Sequence, residues 1–252
     1  MKKPDISKET GRYFLKDHIR LAVDWRSTPQ ACGTPPPAIQ KPAPEGAKLI
    51  PLPAPEQWDI APCNLIDALA RRKSHRSFRQ KSLSLNELAF LLWATQGVRT
   101  RLHDAAVLRT VPSAGCRHPF ETYVAALNIK DLPPAIYRYL PLDHALIQQH
   151  TPKKLAASLA AAAHGQNFAG QAAATFIWTA LPARTEWRYA EASYKVIALD
   201  AGHVCQNLYL ACEAIKAGAC AIAAYNQDLA DALLGIDGEE EFTVYLAPAG
   251  KV

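Results

Sequence analysis

Residues 68–88 read ALARRKSHRSFRQKSLSLNEL, and they hold the most concentrated charge in the chain. Six Lys or Arg residues occur between residues 71 and 81, with no acidic residue among them. The whole chain of 252 residues has a net charge of +5, so the remainder is close to neutral. Nucleic-acid binders usually spread basic residues over a face or a stripe. One short basic segment instead suits a small anion, with a solvated loop as the alternative interpretation.

The basic segment separates two predicted helices. The first, NLIDALARR at residues 64–72, begins with Asn64 as a candidate N-cap. The second, SLNELAFLLWATQ at residues 84–96, has Ser84 and Glu87 in the positions of a capping box. The residues between the two helices are therefore candidates for an extended or irregular segment.

Within that segment, Arg72, Ser74 and Arg76 alternate along the sequence. Alternate residues of an extended backbone point to the same side. Two guanidinium groups that flank a hydroxyl provide a set of donors suited to a phosphate monoester. This pattern alone predicts an anion site only weakly.

The remaining patterns place strands between helices. Strand-like runs of β-branched, aromatic or small apolar residues occupy residues 121–127, 135–140, 173–181, 219–225 and 241–248. Helical patterns occupy residues 152–165, 187–217 and 227–235. Hairpin-like neighbours beside helical crossovers favour an α+β fold, with a central mixed or antiparallel sheet flanked by helices.

The N-terminal part differs in composition from the rest. Residues 1–28 have a weakly helical pattern, and residues 29–55 contain nine prolines. Proline fixes φ and removes a backbone donor, so we expect a proline-rich extended arm, either disordered or wrapped over the body. The predicted organisation is an N-terminal segment and arm at residues 1–55 and one folded domain at residues 56–252.

Several classes of function are not favoured by the sequence. No G-x-G-x-x-G follows a strand, no phosphate-binding G-x-x-x-x-G-K-[ST] is present, and the six cysteines lack zinc spacing. Residues 196–215 are too polar for a membrane span, and the N-terminal residues lack the apolar core of a signal peptide. We therefore expect a cytoplasmic protein with reduced thiols and no metal, nucleic-acid or membrane partner.

Two stretches of small residues are candidates for close approach to a flat ligand. PSAG at residues 112–115 precedes a predicted strand, and GACAIAA at residues 218–224 follows the predicted long helix. Small side chains let a backbone approach a ligand closely. An ordinary turn and ordinary strand packing are the alternative explanations.

Taken in order, these motifs resemble the nitroreductase superfamily, specifically its SagB-type oxidoreductases. The resemblance spans about residues 64–251 and rests mainly on RRKSHRSF, PSAG and DAGHVCQNLYL. It implies an FMN-dependent enzyme with an α+β sandwich fold, usually a homodimer with the flavin at the subunit interface.

The resemblance also implies roles for individual residues. The positions matching those that hold the FMN phosphate and ribityl chain are Arg72, Lys73, Ser74 and Arg76. The positions matching the segment beside the isoalloxazine are Pro112, Ser113, Ala114 and Gly115. The positions matching the backbone near the reactive edge of the flavin are Ala221, Ile222 and Ala223. Lys251 is a loose match to a C-terminal basic residue that reaches the phosphate.

Some members of the family oxidise azoline rings in peptides and have a Lys-Tyr pair ahead of the long helix. The matching catalytic candidates here are Arg188 and Tyr189. Arginine hardly ever deprotonates in proteins, so Arg188 cannot replace a lysine as general base. Tyr189 could still donate or accept a proton.

The resulting prediction is hydride transfer through flavin N5 in a ping-pong reaction, with NADH or NADPH as a candidate reductant and a small molecule or peptide as substrate. Two alternatives stay open: dehydrogenation of azolines in a modified peptide, and a flavin-binding module without turnover.

Overall fold

The computed structural model describes residues 7–252. Its helices are α1 (Lys8–Leu15), α2 (Ile19–Ala22), α3 (Leu65–Arg71), α4 (Leu85–Gln96), α5 (Leu155–Ala162), α6 (Ala183–Tyr189), α7 (Ser193–Ala214) and α8 (Gln227–Leu234). Its strands are β1 (Leu49–Pro51), β2 (Val98–His103), β3 (Ala106–Arg109), β4 (Phe120–Ala126), β5 (Ala135–Leu140), β6 (Ala145–His150), β7 (Ala174–Ala180), β8 (Ala217–Ala219) and β9 (Phe242–Lys251).

Seven strands form one central sheet in the order β1-β6-β5-β4-β7-β9-β8, and every neighbouring pair is antiparallel. Strands β2 and β3 form a separate hairpin. The predicted α+β class, with a central antiparallel sheet flanked by helices, is therefore confirmed. The central sheet is the rigid part of the fold against which the candidate site segments are positioned.

Helices cover both faces of this sheet. The long helix α7 and the capped helix α4 pack on one face against alternate strand residues such as Val124 and Phe176. Helices α5 and α8 pack on the other face, where their neighbours Tyr123 and Ile177 point. Because successive strand side chains point to opposite faces, β4 and β7 are buried along their whole length.

Local sequence signals explain where several helices begin. Asn64 caps α3, accepting hydrogen bonds from the Ile66 and Asp67 amides. The predicted capping box of α4 is present, with Ser84 and Glu87 bonding each other's backbone amides. Each cap satisfies amides that have no partner within the helix.

Two predicted elements have wrong boundaries. The predicted helix at residues 187–217 is broken into α6 and α7, because Ala190 adopts φ 43°, outside helical geometry. The predicted strand at residues 219–225 is replaced by the short β8, and the chain then leaves the sheet. Past β8, the Cys220 amide donates to the Pro248 carbonyl of β9, and Ile222 forms an isolated bridge with Leu246. Small residues suit either conformation, so tertiary contacts decide between them.

The prediction missed four strands: β1, β2, β3 and β6. Strand β1 lies inside the proline-rich arm, where proline argued against a strand, and it takes an edge position where proline is tolerated. Residues 1–6 of the weakly helical N-terminal segment lie outside the described residues. Helices α1 and α2 occupy part of the remainder.

The proline-rich arm wraps over the body, and three buried arginines hold it. Arg138 donates to the Lys41 and Pro42 carbonyls, both at 2.7 Å. Arg184 donates to Ala38, and Arg109 donates to Ile39, in both cases to the carbonyl oxygen at 2.8 Å. Proline has no N–H with which to join a sheet, so donors from the body bind these carbonyls instead. The division of the chain at residues 55 and 56 stays a prediction.

The arginines are balanced by buried carboxylates. Glu121 accepts from Arg138 at 3.2 Å, Arg184 at 2.5 Å and the Lys41 amide at 2.9 Å. Glu241 pairs with the Lys41 amine at 2.5 Å and accepts from the Tyr123 hydroxyl. Buried charges need such partners, so this network ties the arm to the sheet.

Across residues 7–252, none of the helices combines the length and apolar character that crossing a bilayer requires.

Candidate active site

The basic segment between α3 and α4 lies along the edge strand β8. Ser74 forms a parallel bridge with Ala219, and the His75 amide donates to the Ala219 carbonyl at 2.9 Å. Gly218 makes this approach possible, since a Cβ there would overlap the His75 ring. The small residues at 218–224 therefore have a structural reason: they let the basic segment lie against the sheet.

Tyr209 of α7 joins the two segments that the sequence predicted to bind a cofactor. Its hydroxyl lies 2.9 Å from Ser74 Oγ and accepts from the Ala221 amide at 2.7 Å. The Arg72 guanidinium lies over the Tyr209 ring, 5.4 Å from its centroid. Tyr209 lies in the motif DAGHVCQNLYL, and no role was predicted for it. No sequence pattern set it apart from the other polar residues of α7.

The other predicted residues here differ in exposure. Lys73 and Arg76 are exposed, and Arg76 lies close enough to Cys220 to affect its thiol. Ala221 is half-buried and Ala223 is exposed, whereas Ile222 is buried. A cavity of about 530 Å³ continues from Ala223 along one side of α7; its wall includes Tyr194, Ala201, Gly202 and Tyr245.

Two basic residues near this segment have structural partners. Arg71 lies 3.6 Å from Glu213. The Lys251 amine donates to Glu87 and to the Ile215 carbonyl, both at 2.5 Å. Lys251 thus ties the last strand to α4, so this geometry gives no support to the phosphate role predicted for it.

The PSAG segment is fixed on α7 by Asp200. Ser113 donates from its hydroxyl to Asp200 Oδ2 at 2.6 Å, and the Ala114 amide donates to the same oxygen at 3.2 Å. Ser113 Oγ also accepts from the His118 amide. Burial raises the pKa of Asp200, and the bonds from Ser113 and Ala114 oppose that shift. Pro112 is exposed and lies with Ser113 on the wall of a cavity of about 380 Å³.

Gly115 touches the predicted catalytic pair. Its φ of 57° is in the left-handed region, and a Cβ there would lie 2.8 Å from the Tyr189 hydroxyl and 2.9 Å from Arg188 Cδ. Only glycine avoids both the strain and the overlap. Arg188 is exposed and Tyr189 half-buried, at the C-terminal end of α6. The structure therefore brings PSAG and Arg188-Tyr189 together.

The two groups of predicted residues lie on opposite sides of α7. Asp200 holds PSAG, and Tyr209 holds the basic segment and residue 221. Their separation of nine positions is about 900° of helix rotation, which is two and a half turns. A helix with side chains is about 10 Å wide, so within one chain the two groups face away from each other.

The cysteines and candidate metal ligands add no further chemistry to this region. Cys205 is buried, and burial raises the pKa of its thiol to about 12. Burial likewise raises the pKa values of Cys212 and Cys220, so all three favour the unreactive thiol. Across residues 7–252, no cluster of three His, Cys, Asp or Glu side chains could hold a metal ion.

Comparison with known proteins defines the class. The profile of the Nitroreductase family matches residues 69–251. MJ1384 of Methanocaldococcus jannaschii, a nitroreductase by name, is 30% identical over 193 residues, which cover 77% of this chain and 93% of that protein. The chain belongs to the Nitroreductase family, whose members are oxidoreductases.

Solved structures agree on the fold. One from Ralstonia eutropha JMP134, also a nitroreductase by name, has a TM-score of 0.67 and 27% identity, covering 86% of this chain and 98% of its own. The Escherichia coli microcin synthetase McbBCD complex, with truncated pro-MccB17 bound, includes a chain with a TM-score of 0.60 and 17% identity. That match covers 100% of this chain and 99% of the other.

Proposed function

We propose that the protein is an FMN-dependent oxidoreductase that binds the cofactor phosphate at the basic segment of residues 72–76. The observation that carries the proposal is Tyr209, whose hydroxyl bonds both Ser74 and the Ala221 amide. One side chain thereby holds the predicted phosphate segment beside the predicted flavin segment. When bound, FMN would supply the capacity to accept and return a hydride.

The charges of the basic segment fit a phosphate. Among the described residues, no carboxylate lies within ion-pair distance of Arg72, Lys73 or Arg76, whereas Arg71 has Glu213. Three unbalanced cations around one exposed hydroxyl would repel one another less with a doubly charged anion between them. Hydrogen bonds to a charged group contribute roughly 1.5–3 kcal/mol each, so a few such contacts suffice for stable binding.

A homodimer would complete the site. The exposed α7 face (Leu199, Gly202, His203 and Gln206) lies between the directions of Asp200 and Tyr209. A two-fold axis parallel to α7 at this face would set the Asp200 side of one chain against the Tyr209 side of its partner, because rotation about that axis keeps the helix direction and exchanges its two sides. PSAG and Arg188-Tyr189 of one chain would then approach the cofactor held by the other.

Gly202 supports this arrangement. Glycine within a helix costs about 1 kcal/mol relative to alanine, and a Cβ at Gly202 would meet no atom of the described residues within 4 Å. Because Gly202 has no side chain, a helix of the partner chain could pack closely against α7 at this position.

Within such a site, this chain's residues would orient and protonate the substrate. The Tyr189 hydroxyl lies at the Gly115 turn and can donate or accept a proton. Arg188 stays protonated, which disfavours azoline dehydrogenation that depends on a basic lysine. The azoline reaction is therefore our second candidate, and a flavin-binding module without turnover is the third.

The experiment is the colour and spectrum of the purified protein. We expect a yellow protein that releases FMN and not FAD on denaturation. Anaerobic mixing with NADH or NADPH should bleach the flavin absorbance if the protein is a reductase. A colourless protein that gains no flavin absorbance with excess FMN would overturn the proposal. A yellow protein that neither reductant bleaches would favour the dehydrogenase or the binding module.

A further inference from the structure

Two guanidinium groups flank the Gly115 turn at the predicted catalytic pair. Arg117 Nε donates to the Gly115 carbonyl at 3.1 Å. On the other side, Arg188 Nε lies 3.1 Å from the position that a Cβ on Gly115 would take. The positively charged side chains of Arg117 and Arg188 therefore both lie next to the Gly115 turn, beside the Tyr189 hydroxyl.

Arg117 is held in place and is not a mobile surface side chain. It is only 8% exposed, and its terminal nitrogen donates to the Ala105 carbonyl at 3.4 Å. Its guanidinium lies over the Trp187 ring, 4.9 Å from the centroid. Burial, and then the nearby charge of Arg188, lower the pKa of Arg117.

No acid of the described chain balances this pair. Neither Arg117 nor Arg188 takes part in an ion pair among residues 7–252. The Asp200 carboxylate, which lies near this turn, already accepts from the Ser113 hydroxyl and the Ala114 amide.

We propose that Arg117 and Arg188 form a subsite for an anionic group of the substrate, either a carboxylate or a phosphate. Guanidinium groups match the planar or forked oxygens of such anions, and two of them bind better than one. The inference rests on the proposed function, since it places a charged substrate group beside Tyr189. It also gives Arg188 a role that needs no deprotonation: it binds and orients.

Calorimetric titration of the protein as purified, with its flavin content recorded, tests binding without turnover. The probes are benzoate, its neutral match benzamide, and inorganic phosphate. We expect at least one of the two anions to bind and benzamide not to bind. Arg188→Gln should weaken anion binding about tenfold or more, by losing one charge-assisted bond. Arg188→Lys should retain part of it, because the charge is kept.

The matched control is Arg101→Gln, since Arg101 is an exposed arginine already paired with Asp104 at 2.9 Å. Arg117→Gln is a second variant, informative if circular dichroism shows that it folds. Arg188 is exposed, so its variants should fold in any case. Detectable binding of benzamide with the affinity of benzoate, no binding of either anion, or equal affinities in Arg188→Gln and Arg101→Gln would overturn the proposal.

Steady-state kinetics separates the two sources of the anion. If Arg188→Gln raises KM for 4-nitrobenzoate and not for 4-nitrobenzamide, the subsite takes a substrate carboxylate. If it raises KM for NADPH or NADH instead, the subsite takes a phosphate of the reductant. No change with any of them overturns the subsite. Flavin content is measured separately, so a protein without flavin would refute the proposed function while calorimetry still tests the arginine pair.

Discussion

Asp200 and Tyr209 lie on opposite faces of α7, and each fixes a different part of the predicted flavin site. Asp200 holds Ser113 and Ala114, while Tyr209 holds Ser74 and Ala221. The helix that binds both parts also keeps them apart. The proposed two-fold arrangement reunites them from two chains across the exposed α7 face.

Gly202→Leu should therefore yield a monomer that has lost most of its flavin. Leucine is a better helix former by almost 1 kcal/mol, so the isolated chain should not be less stable. Light scattering should give about twice the chain mass of 27.5 kDa for the wild type, and the chain mass for the variant. Gly11→Leu is the control, because Gly11 is an exposed helical glycine of α1 and a Cβ there would also meet no atom of residues 7–252 within 4 Å. A dimeric Gly202→Leu with full flavin content would show that this face is not the interface.

Replacing both Arg72 and Arg76 with Ala should strip FMN and leave the fold intact. Both lie between α3 and α4, outside the helices. Each loss of a charge-assisted bond costs roughly 1.5–3 kcal/mol, together about two to four decades of affinity.

The control for this pair is Arg79→Ala with Lys81→Ala, which removes the same charge nearby. The backbone, not the side chain, of Arg79 bonds Lys251. Flavin titration at fixed salt measures both double variants. Equal losses would mean that overall basicity, and not the Arg-Ser-Arg geometry, holds the cofactor.

Arg138→Leu should destabilise the protein and loosen the arm. The change leaves the Lys41 and Pro42 carbonyls unpaired and removes one of the cations that balance Glu121. Breaking a buried ion pair by removing one partner typically costs about 3–5 kcal/mol. Urea denaturation should show this loss, and limited proteolysis should cut the arm faster.

The control for the arm is Arg101→Leu, which breaks an exposed pair with Asp104. Exposed pairs contribute at most about 1 kcal/mol, so its denaturation midpoint should hardly move. Similar midpoints for Arg138→Leu and the wild type would show that the arm does not depend on this network.

His118 should make stability fall as the pH falls. Burial and the charge of Arg109 lower the pKa of His118 to about 3, from 6.5 in the unfolded chain. Between these values the unfolded state binds more protons, so the free energy of unfolding drops by up to about 1.4 kcal/mol per pH unit on acidification. The effect should be absent above about pH 7, where both states are neutral.

His118→Gln should flatten this dependence, even though the variant is less stable at neutral pH. Urea denaturation at several pH values between about 7 and 5 gives the slope for each protein. His103→Gln, at an exposed position, should keep the wild-type slope. The raised pKa values of Asp200 and Glu186 act in the opposite sense, but they are common to all three proteins. Matching slopes for the wild type and His118→Gln would remove His118 as the cause.

Signals between near neighbours in sequence predicted much of the fold. The Ser84–Glu87 capping box and the strand-like runs at 121–127 and 135–140 depend on residues a few positions apart. Such interactions form in the same way in many tertiary contexts. The break at Ala190 had no local signal, since neither Gly nor Pro occurs there, and the surrounding packing imposes its positive φ.

The candidate site was predicted as separate pieces. The basic residues at 72–76, the small residues at 112–115 and the pair Arg188-Tyr189 were all identified as motifs. Only the family resemblance implied that they meet around one flavin, because the contacts that position them join residues far apart in sequence. Arg117 and Trp187 had no signal at all, since a lone arginine and a lone tryptophan are common in any chain.

By itself, the sequence determined the fold class, the non-helical basic segment and the nine-residue spacing of Asp200 and Tyr209. These follow from local propensity, charge and the fixed period of a helix. Only the tertiary structure decided which face of α7 is buried, which sheet edge receives Ser74, and that Tyr209 joins it to Ala221. The physical reason is that the buried face of α7 depends on packing throughout the core, which no single segment of the sequence determines.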